Sequence, residues 1–560
     1  MIETMHDTVG GLLDRVAGEY PDREAVKYIT QPYRRTWREF RDECDRAAKG
    51  LLAMGVRKGD HVAIWATNVP EWLITMFATA KIGAVLVTVN TSYKIYELEY
   101  LMKQSDSKVL IFTDGYKDCD YIEIINQLCP GLKTSKPGEL NDPNLPFLKS
   151  VVYVGEKEVP GTLPFANLYQ MGESIGDGEY KKVQKSLNEH DIINMQYTSG
   201  TTGFPKGVML THFNIVNNGK AIGDCMRFTK DDKLCICVPL FHCFGLVLGV
   251  MACLTHAASM VPVDYFRPIW VMQALEQEEC TALHGVPAMF IAVLDHKEFQ
   301  NHHFPKLRTG IMAGSPCPEK VMRQVVEEMG ATEITITYGE TEASPACTMT
   351  TTDDSLELRV STVGKMMPGV EAKVVDLITG ETLPPNMPGE FCSRGYNTMK
   401  GYYKMPEETQ KVIDKDGWLH SGDIAVMDEN GYFRITGRIK DMIIRGGENI
   451  YPKEIEEFLY RHPAVKDVQV VSVPDKQYGE EMVACIILKS GAVLTEDEVR
   501  EYVRSYMARH KVPKYVWFVD EFPVTASGKV QKYKLRKEAA EAFLGQSAVS
   551  AGSGCGAARE

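Results

Sequence analysis

The first third of the chain alternates short apolar runs with longer segments whose apolar residues recur at helical spacing. HVAIWA (61–66) predicts a strand, EWLITMFATAKIG (71–83) a helix and AVLVTV (84–89) a further strand. YELEYLMKQS (96–105) predicts a helix and KVLIFT (108–113) a strand. This alternation predicts a parallel, doubly wound α/β layer. The pattern resumes after a loop-rich stretch near 130–190. There IINMQYT enters a glycine-rich loop, and EITITYG (333–339) predicts one strand ending in a turn.

From about 350 to 437 the texture changes to short strands with Gly/Pro turns, as in AKVVDLITGETLPP, GEFCSRG and GYFRITG, predicting a small β-rich subdomain. After Arg438 a compact unit follows, with PKEIEEFLYRH helical and VKDVQVVSV and MVACIIL as strands. Residues 495–509 predict an amphipathic helix opened by a Thr495/Glu498 capping box. Its stripe of Val499, Tyr502, Val503, Tyr506 and Met507 reads as core. The tail 546–560 lacks apolar periodicity and predicts disorder. There are no internal repeats.

Composition narrows the function classes. A chain of 560 residues predicts more than one domain, and 44% hydrophobic with 24% charged residues is ordinary for a soluble protein. The net charge of −13 argues against a nucleic-acid binder working through a broad basic face, while leaving room for local basic pockets. The fourteen cysteines are scattered, Cys235, Cys237 and Cys253 among them inside apolar runs, with no CxxC pair or zinc spacing. They read as buried free thiols in a reducing compartment. The N-terminus carries acids throughout and is not a signal peptide. Residues 235–254 are long enough to span a bilayer, but Pro239, His242 and two glycines interrupt them. PLFHCFG reads instead as a loop between a buried strand and a buried helix, so no transmembrane segment and a cytoplasmic location are expected.

The chemistry is concentrated in YTSGTTGFPKGVMLTH (197–212). Its glycines, hydroxyls and lysine suit phosphate, yet the GxxxxGK[ST] spacing fails, because Gly207 follows Lys206 and the distance from Gly200 is wrong. Gly200 and Gly203 let backbone N–H groups approach anionic oxygens closely, while Thr198, Ser199, Thr201 and Thr202 add hydroxyl donors. Lys206 adds a point charge. A polar surface turn would have a similar composition.

This loop closely resembles the signature of the adenylate-forming superfamily of acyl-CoA synthetases, luciferases and adenylation domains. The resemblance covers roughly residues 10–545, with the motifs in family order. AGSPCP (313–318), with Gly314, Ser315 and Pro316, and YGETEASP (338–345) resemble the adenine-binding elements. The resemblance implies that Tyr338 stacks on the purine, Thr341 donates to phosphate and Glu342 holds Mg2+, a hard ion suited to carboxylate oxygen. It places Asp423 of SGD and Arg438 of GRIKDMIIRGGENIYP on the ribose. Lys529 of PVTASGKVQK would neutralise the charge gathering at the α-phosphorus. Lys440 would be a hinge, and Gly446 and Gly447 would border the pantetheine of coenzyme A. His242 matches an aromatic near the substrate carboxylate, and the acyl pocket is expected from 241–254 and HGVPAMF (284–290). Gly245 and Gly249, four apart, would either leave room for an alkyl chain or allow tight packing. Two departures are Glu340 at the variable position of YGxTE and Ser421 in place of the more frequent threonine.

The implied fold is α/β: a large domain (1–437) of two doubly wound subdomains plus a small β-barrel-like one, hinged to a small α+β domain (438–545). DMIIRGGENIYP, IVNNGKA, LEYLMKQS and PVTASGKVQK look most like medium-chain fatty acyl-CoA synthetases. The implied reaction converts carboxylate, ATP and CoA to acyl-CoA, AMP and pyrophosphate through an acyl-adenylate. Positioning and charge stabilisation would carry it, the carboxylate being its own nucleophile. An adenylating ligase for aryl or branched acids, or one serving a carrier protein, shares the motifs. A non-catalytic nucleotide-binding regulator would not need Lys529. Oligomeric state is left open.

Overall fold

The computed structural model describes residues 4–198, 205–315, 317–446, 448–524 and 530–545. They fall into two compact units, Met1–Ala372 with Ser393–His420, and Lys373–Cys392 with Ser421–Glu560.

The first unit contains two large sheets. In the eight-stranded sheet the order is Gly401–Tyr402, Lys206–Thr211, Ile192–Thr198, Val85–Thr88, His61–Trp65, Val109–Phe112, Ser150–Tyr153 and Leu163–Pro164. It is parallel from Ile192–Thr198 onward, and the two remaining strands pair antiparallel. The seven-stranded sheet runs Glu333–Thr335, Thr309–Met312, Ala282–Gly285, Lys233–Ile236, Ser259–Pro262, Glu24–Lys27 and Arg34–Thr36. Only its last pair is antiparallel. These are the expected doubly wound layers, and their central strands are largely buried, polar Asn194, Gln196 and His284 included, because both faces are covered.

Helix Pro70–Ile82 shows how local signals and burial combine. Proline takes the first helical position, where no intrahelical donor is lost, and Gly83 ends the helix at φ 71°. Nearly every side chain between them is buried, so this helix lies inside the unit rather than on its surface. Lys81 is among them, fully buried, with its ammonium against Asp14 and 2.7 Å from Asp45.

Several expectations are refined or corrected in detail. The stretch 130–190 is loop-rich as expected, and short regular elements punctuate it: Ser150–Tyr153 is a fully buried strand, and Asn167–Gly172 and Asp177–Lys185 are helices. EITITYG is two strands in different sheets, Glu333–Thr335 and Thr337–Gly339, the second pairing with Ala346–Met349. The β-rich stretch forms open sheets rather than a closed barrel. One has three strands ending in Lys365–Met366, and the other runs Val370–Val375, Gly389–Gly395, Leu419–Met427, Phe433–Arg438.

The C-terminal region of the second unit is α+β. Val465–Asp475 and Gly479–Leu488 form a long antiparallel pair, joined by Ile443–Arg445, Glu448–Ile450 and Tyr515–Phe518. Helix Glu496–Tyr506 opens with the expected Thr495/Glu498 capping box. Val499 and Val503 are buried, but Tyr506 is 74% exposed. The helix ends at Tyr506, and Tyr502 and Met507 pack against the same core, so of the expected stripe Tyr506 alone lies outside it. Among the described residues every cysteine is unbridged. No helix among them is long and apolar enough to cross a membrane.

Candidate active site

In open α/β sheets, ligands bind beyond the carboxyl ends of the parallel strands. The predicted residues of the first unit lie there. Strand Ile192–Thr198 ends at Thr198, and Lys206 opens the antiparallel return strand directly opposite it. The residues expected to hold phosphate, Ser199, Gly200, Thr201, Thr202 and Gly203, lie outside the described residues. In the other sheet, Lys233–Ile236 leads to His242, Thr309–Met312 to Gly314 and Ser315, and Glu333–Thr335 to Tyr338. Gly314 adopts φ 87°, where a side chain would be strained, and an added Cβ would also press on Val286 at 3.2 Å. Pro316 lies outside the described residues.

Thr341 and Glu342 follow Tyr338 in a single 3₁₀ turn, Thr341–Ala343. Thr341 is buried, and its hydroxyl bonds the Cys243 thiol. That thiol also stands 2.9 Å from Gln196 Oε1, and burial holds it un-ionised by pushing its pKa up. Glu342 is fixed twice by the segment after Asn397. Met399 N donates to its carbonyl at 2.9 Å, and the Tyr402 hydroxyl donates to Oε1 at 2.8 Å. Lys206 Nζ lies 4.9 Å above the Tyr402 ring and pairs with Glu408. The fold therefore gathers Lys206, Glu342 and Thr341 through Tyr402, Cys243 and Gln196. The sequence reading singled out none of these last three, nor Glu408. A phenol and an acid in KGYYKMPEE carry no local signature of chemistry, and their partners lie far away along the chain.

His242 is exposed at the start of Phe244–Met251, an eight-residue π-helix. Its Nδ1 accepts the Phe244 N–H at 3.2 Å, capping the helix that packs in the core. Gly245 permits close packing, because an added Cβ would collide with the Pro239 carbonyl, whereas one at Gly249 would meet Ile236 at an ordinary 3.4 Å. Neither glycine leaves an open channel at its own Cβ position. His284 secures the same helix from the sheet. It is fully buried, its Nε2 donating to Leu248 O at 2.9 Å and its Nδ1 accepting the Ile311 N–H at 3.2 Å. Burial lowers its pKa to about 4, so the imidazole is neutral.

In the second unit, Asp423 and Arg438 stand opposite each other on antiparallel strands, with Arg438 Nε 3.0 Å from Asp423 Oδ1. Ser421 serves as a brace, donating to Phe391 O at 2.7 Å and accepting the Asp423 N–H at 3.1 Å. A threonine hydroxyl could make the same bonds, so this departure keeps the geometry. Lys440 lies in the short turn Ile439–Asp441, where burial and neighbouring Arg438 lower its pKa. Gly446 sits at φ 60° and donates its N–H to Tyr478 O at 2.9 Å. Beside it Arg445 bonds the fully buried Glu481 at 2.8 Å. Gly447 and Lys529 lie outside the described residues.

Residues 13–403 match the family model described as AMP-binding enzyme, and residues 454–529 match the AMP-binding enzyme C-terminal domain. The chain belongs to this family of adenylate-forming enzymes. It is 54% identical over 543 residues to YngI of Bacillus subtilis, whose name describes it provisionally as an acyl-CoA synthetase; the match covers 97% of this chain and 99% of that one. It is 40% identical over 542 residues to the mitochondrial medium-chain acyl-CoA ligase ACSF2 of Rattus norvegicus, covering 95% and 88%. Among solved structures it resembles ATP-bound MatB from Rhodopseudomonas palustris, with TM-score 0.79, 28% identity, and 97% and 100% of the two chains covered. Within the family the protein is an AMP-forming acyl-CoA synthetase.

Proposed function

We propose that this synthetase activates a medium-chain fatty acid with ATP and transfers the acyl group to coenzyme A. The observation that carries the proposed division of labour is the Tyr402 bridge: one phenol lies beneath Lys206 and bonds Glu342. In this reading the Lys206 ammonium, with the loop it follows, faces the β- and γ-phosphates, and Thr341 donates to phosphate. Asp423 accepts from the ribose hydroxyls and Arg438 keeps its carboxylate oriented. Tyr338 stacks on the adenine, beside Gly314, Ser315 and Pro316. Lys529 meets the charge that develops as the substrate carboxylate displaces pyrophosphate.

Mg2+ fits Glu342, because the Tyr402 bond is made to one carboxylate oxygen and the other is a hard donor of the kind this ion prefers. When bound, the ion would neutralise phosphate charge. For thioester formation, Lys440 is the proposed hinge between 1–437 and 438–545, with Gly446 and Gly447 beside the pantetheine arm. Exposed His242 flanks the carboxylate, while the π-helix and 284–290 line the alkyl chain. A cytoplasmic location belongs to the same proposal, supported by the unbridged thiols.

The test is CoA-dependent AMP release across straight-chain acids of increasing length, branched acids and aromatic acids. The highest kcat/KM is expected for medium straight chains. A maximum on an aromatic or branched acid would replace the substrate, and carboxylate-dependent ATP–pyrophosphate exchange without CoA-dependent release would point to a different acceptor.

A further inference from the structure

Lys206 ends in an internal ion pair rather than in open solvent. Its side chain is only 15% exposed, and its ammonium is held by one carboxylate oxygen of Glu408. The other oxygen of Glu408 is taken by Lys411 at 2.6 Å. These two lysines, Lys206 foremost, hold the Glu408 carboxyl down at about 2, so it is an anion throughout the working range of pH. Glu408 is also fixed in place by its chain. Strand Gly401–Tyr402 pairs with the strand that Lys206 opens, Val208 opposite Tyr402. Tyr403 N donates to Gly207 O at 2.8 Å, and Tyr402 N donates to Thr409 Oγ1 at 2.9 Å. The ladder thus carries the acid to the base of the phosphate loop, 202 residues downstream of the lysine.

An ammonium mostly withdrawn from water needs an anion beside it. A nucleotide phosphate offers the same lysine a more highly charged partner, and one ammonium cannot serve both acids at full strength. We propose that Glu408 is a positioning residue that competes with the β- and γ-phosphates for Lys206, reclaiming the lysine as pyrophosphate leaves. This rests on the reading that Lys206 faces those phosphates. Tyr402 makes the exchange short. Its ring lies under the ammonium in the paired state, so the charge stays over an aromatic face as it moves between partners.

The experiment measures equilibrium binding of magnesium pyrophosphate, and of ATP, to the full chain. Wild type, Glu408→Gln, Lys206→Met and the double variant are compared. Glu408→Gln is expected to bind pyrophosphate about tenfold more tightly, the scale of one lost competing charge contact. Its steady-state turnover should fall where product release limits, while adenylate formation in a single turnover is retained. In the Lys206→Met background the Glu408→Gln change should have no effect on pyrophosphate affinity. Damage to the fold weakens binding, so tighter binding is not a result that a scaffold role would produce. Should Glu408→Gln fail to accumulate, Glu408→Asp keeps the charge on a shorter arm and should tighten binding to a smaller degree. Unchanged or weaker pyrophosphate binding in these Glu408 variants overturns the competition. Unchanged affinity in Lys206→Met overturns it differently, by removing the reading of Lys206 on which it rests.

Discussion

Replacing Tyr402 by phenylalanine separates the two things this residue does. The ring stays, so Lys206, 4.9 Å from its centroid, keeps its aromatic floor. What disappears is the hydroxyl that donates to Glu342 Oε1 at 2.8 Å. Burial, and then the Glu342 carboxylate itself, push the phenol far above its ordinary pKa, so the group is a proton donor at every working pH. A hydrogen bond to a charged acceptor contributes about 1.5–3 kcal/mol. Glu342 is only half-buried, so water can replace part of the bond and the lower end applies. About 1.5 kcal/mol corresponds to roughly tenfold in rate. The assay compares two half-reactions: fatty-acid-dependent ATP–pyrophosphate exchange, and thioester formation from supplied acyl-adenylate and CoA. Exchange should lose about tenfold in kcat/KM for ATP, while thioester formation is little changed. An equal loss in both, or an unchanged exchange rate, would refute the assignment of Tyr402 to the ATP-dependent step.

The remaining predictions concern packing, acid stability and the proposed ribose site. Gly245→Ala should lower the melting temperature sharply, because its Cβ meets backbone at Pro239, whereas Gly249→Ala, facing Ile236 at 3.4 Å, should melt near wild type. Buried His284 and His212 have pKa values lowered to about 4 and about 3, against about 6.5 in the unfolded chain. Between those limits the unfolded state binds more protons, so the stabilisation is complete above about pH 6.5 and falls on acidification through the window. For His284 alone the loss is on the order of 3 kcal/mol. Urea unfolding across this range should show the slope, and His284→Asn should reduce it, His212 supplying the remainder. Asp423→Asn leaves Arg438 beside a neutral amide and should raise KM for ATP by about one to two orders of magnitude, consistent with loss of a charged hydrogen-bond partner. KM for the fatty acid should move little, and steady-state kinetics with each substrate varied in turn would reveal the reverse pattern.

Sequence alone determined the features that repeat locally. The strands at 61–66, 84–89 and 108–113, the intervening helices and the Thr495/Glu498 capping box were all legible, because periodicity and capping depend on neighbours within a turn or two. The ordered motifs pointed to adenylate formation through their resemblance, as a set, to a known family, since each short string alone would also suit an ordinary polar turn. Tertiary structure decided the rest. It split EITITYG between two sheets, left Tyr506 outside the core and gave Gly245 a packing contact tighter than that of Gly249. It also delivered Tyr402 to Glu342 and Glu408 to Lys206. These pairings arise because the edge strand Gly401–Tyr402 docks beside Lys206–Thr211. Nothing periodic in either segment names the other; the ladder joining the two strands sets which charges meet.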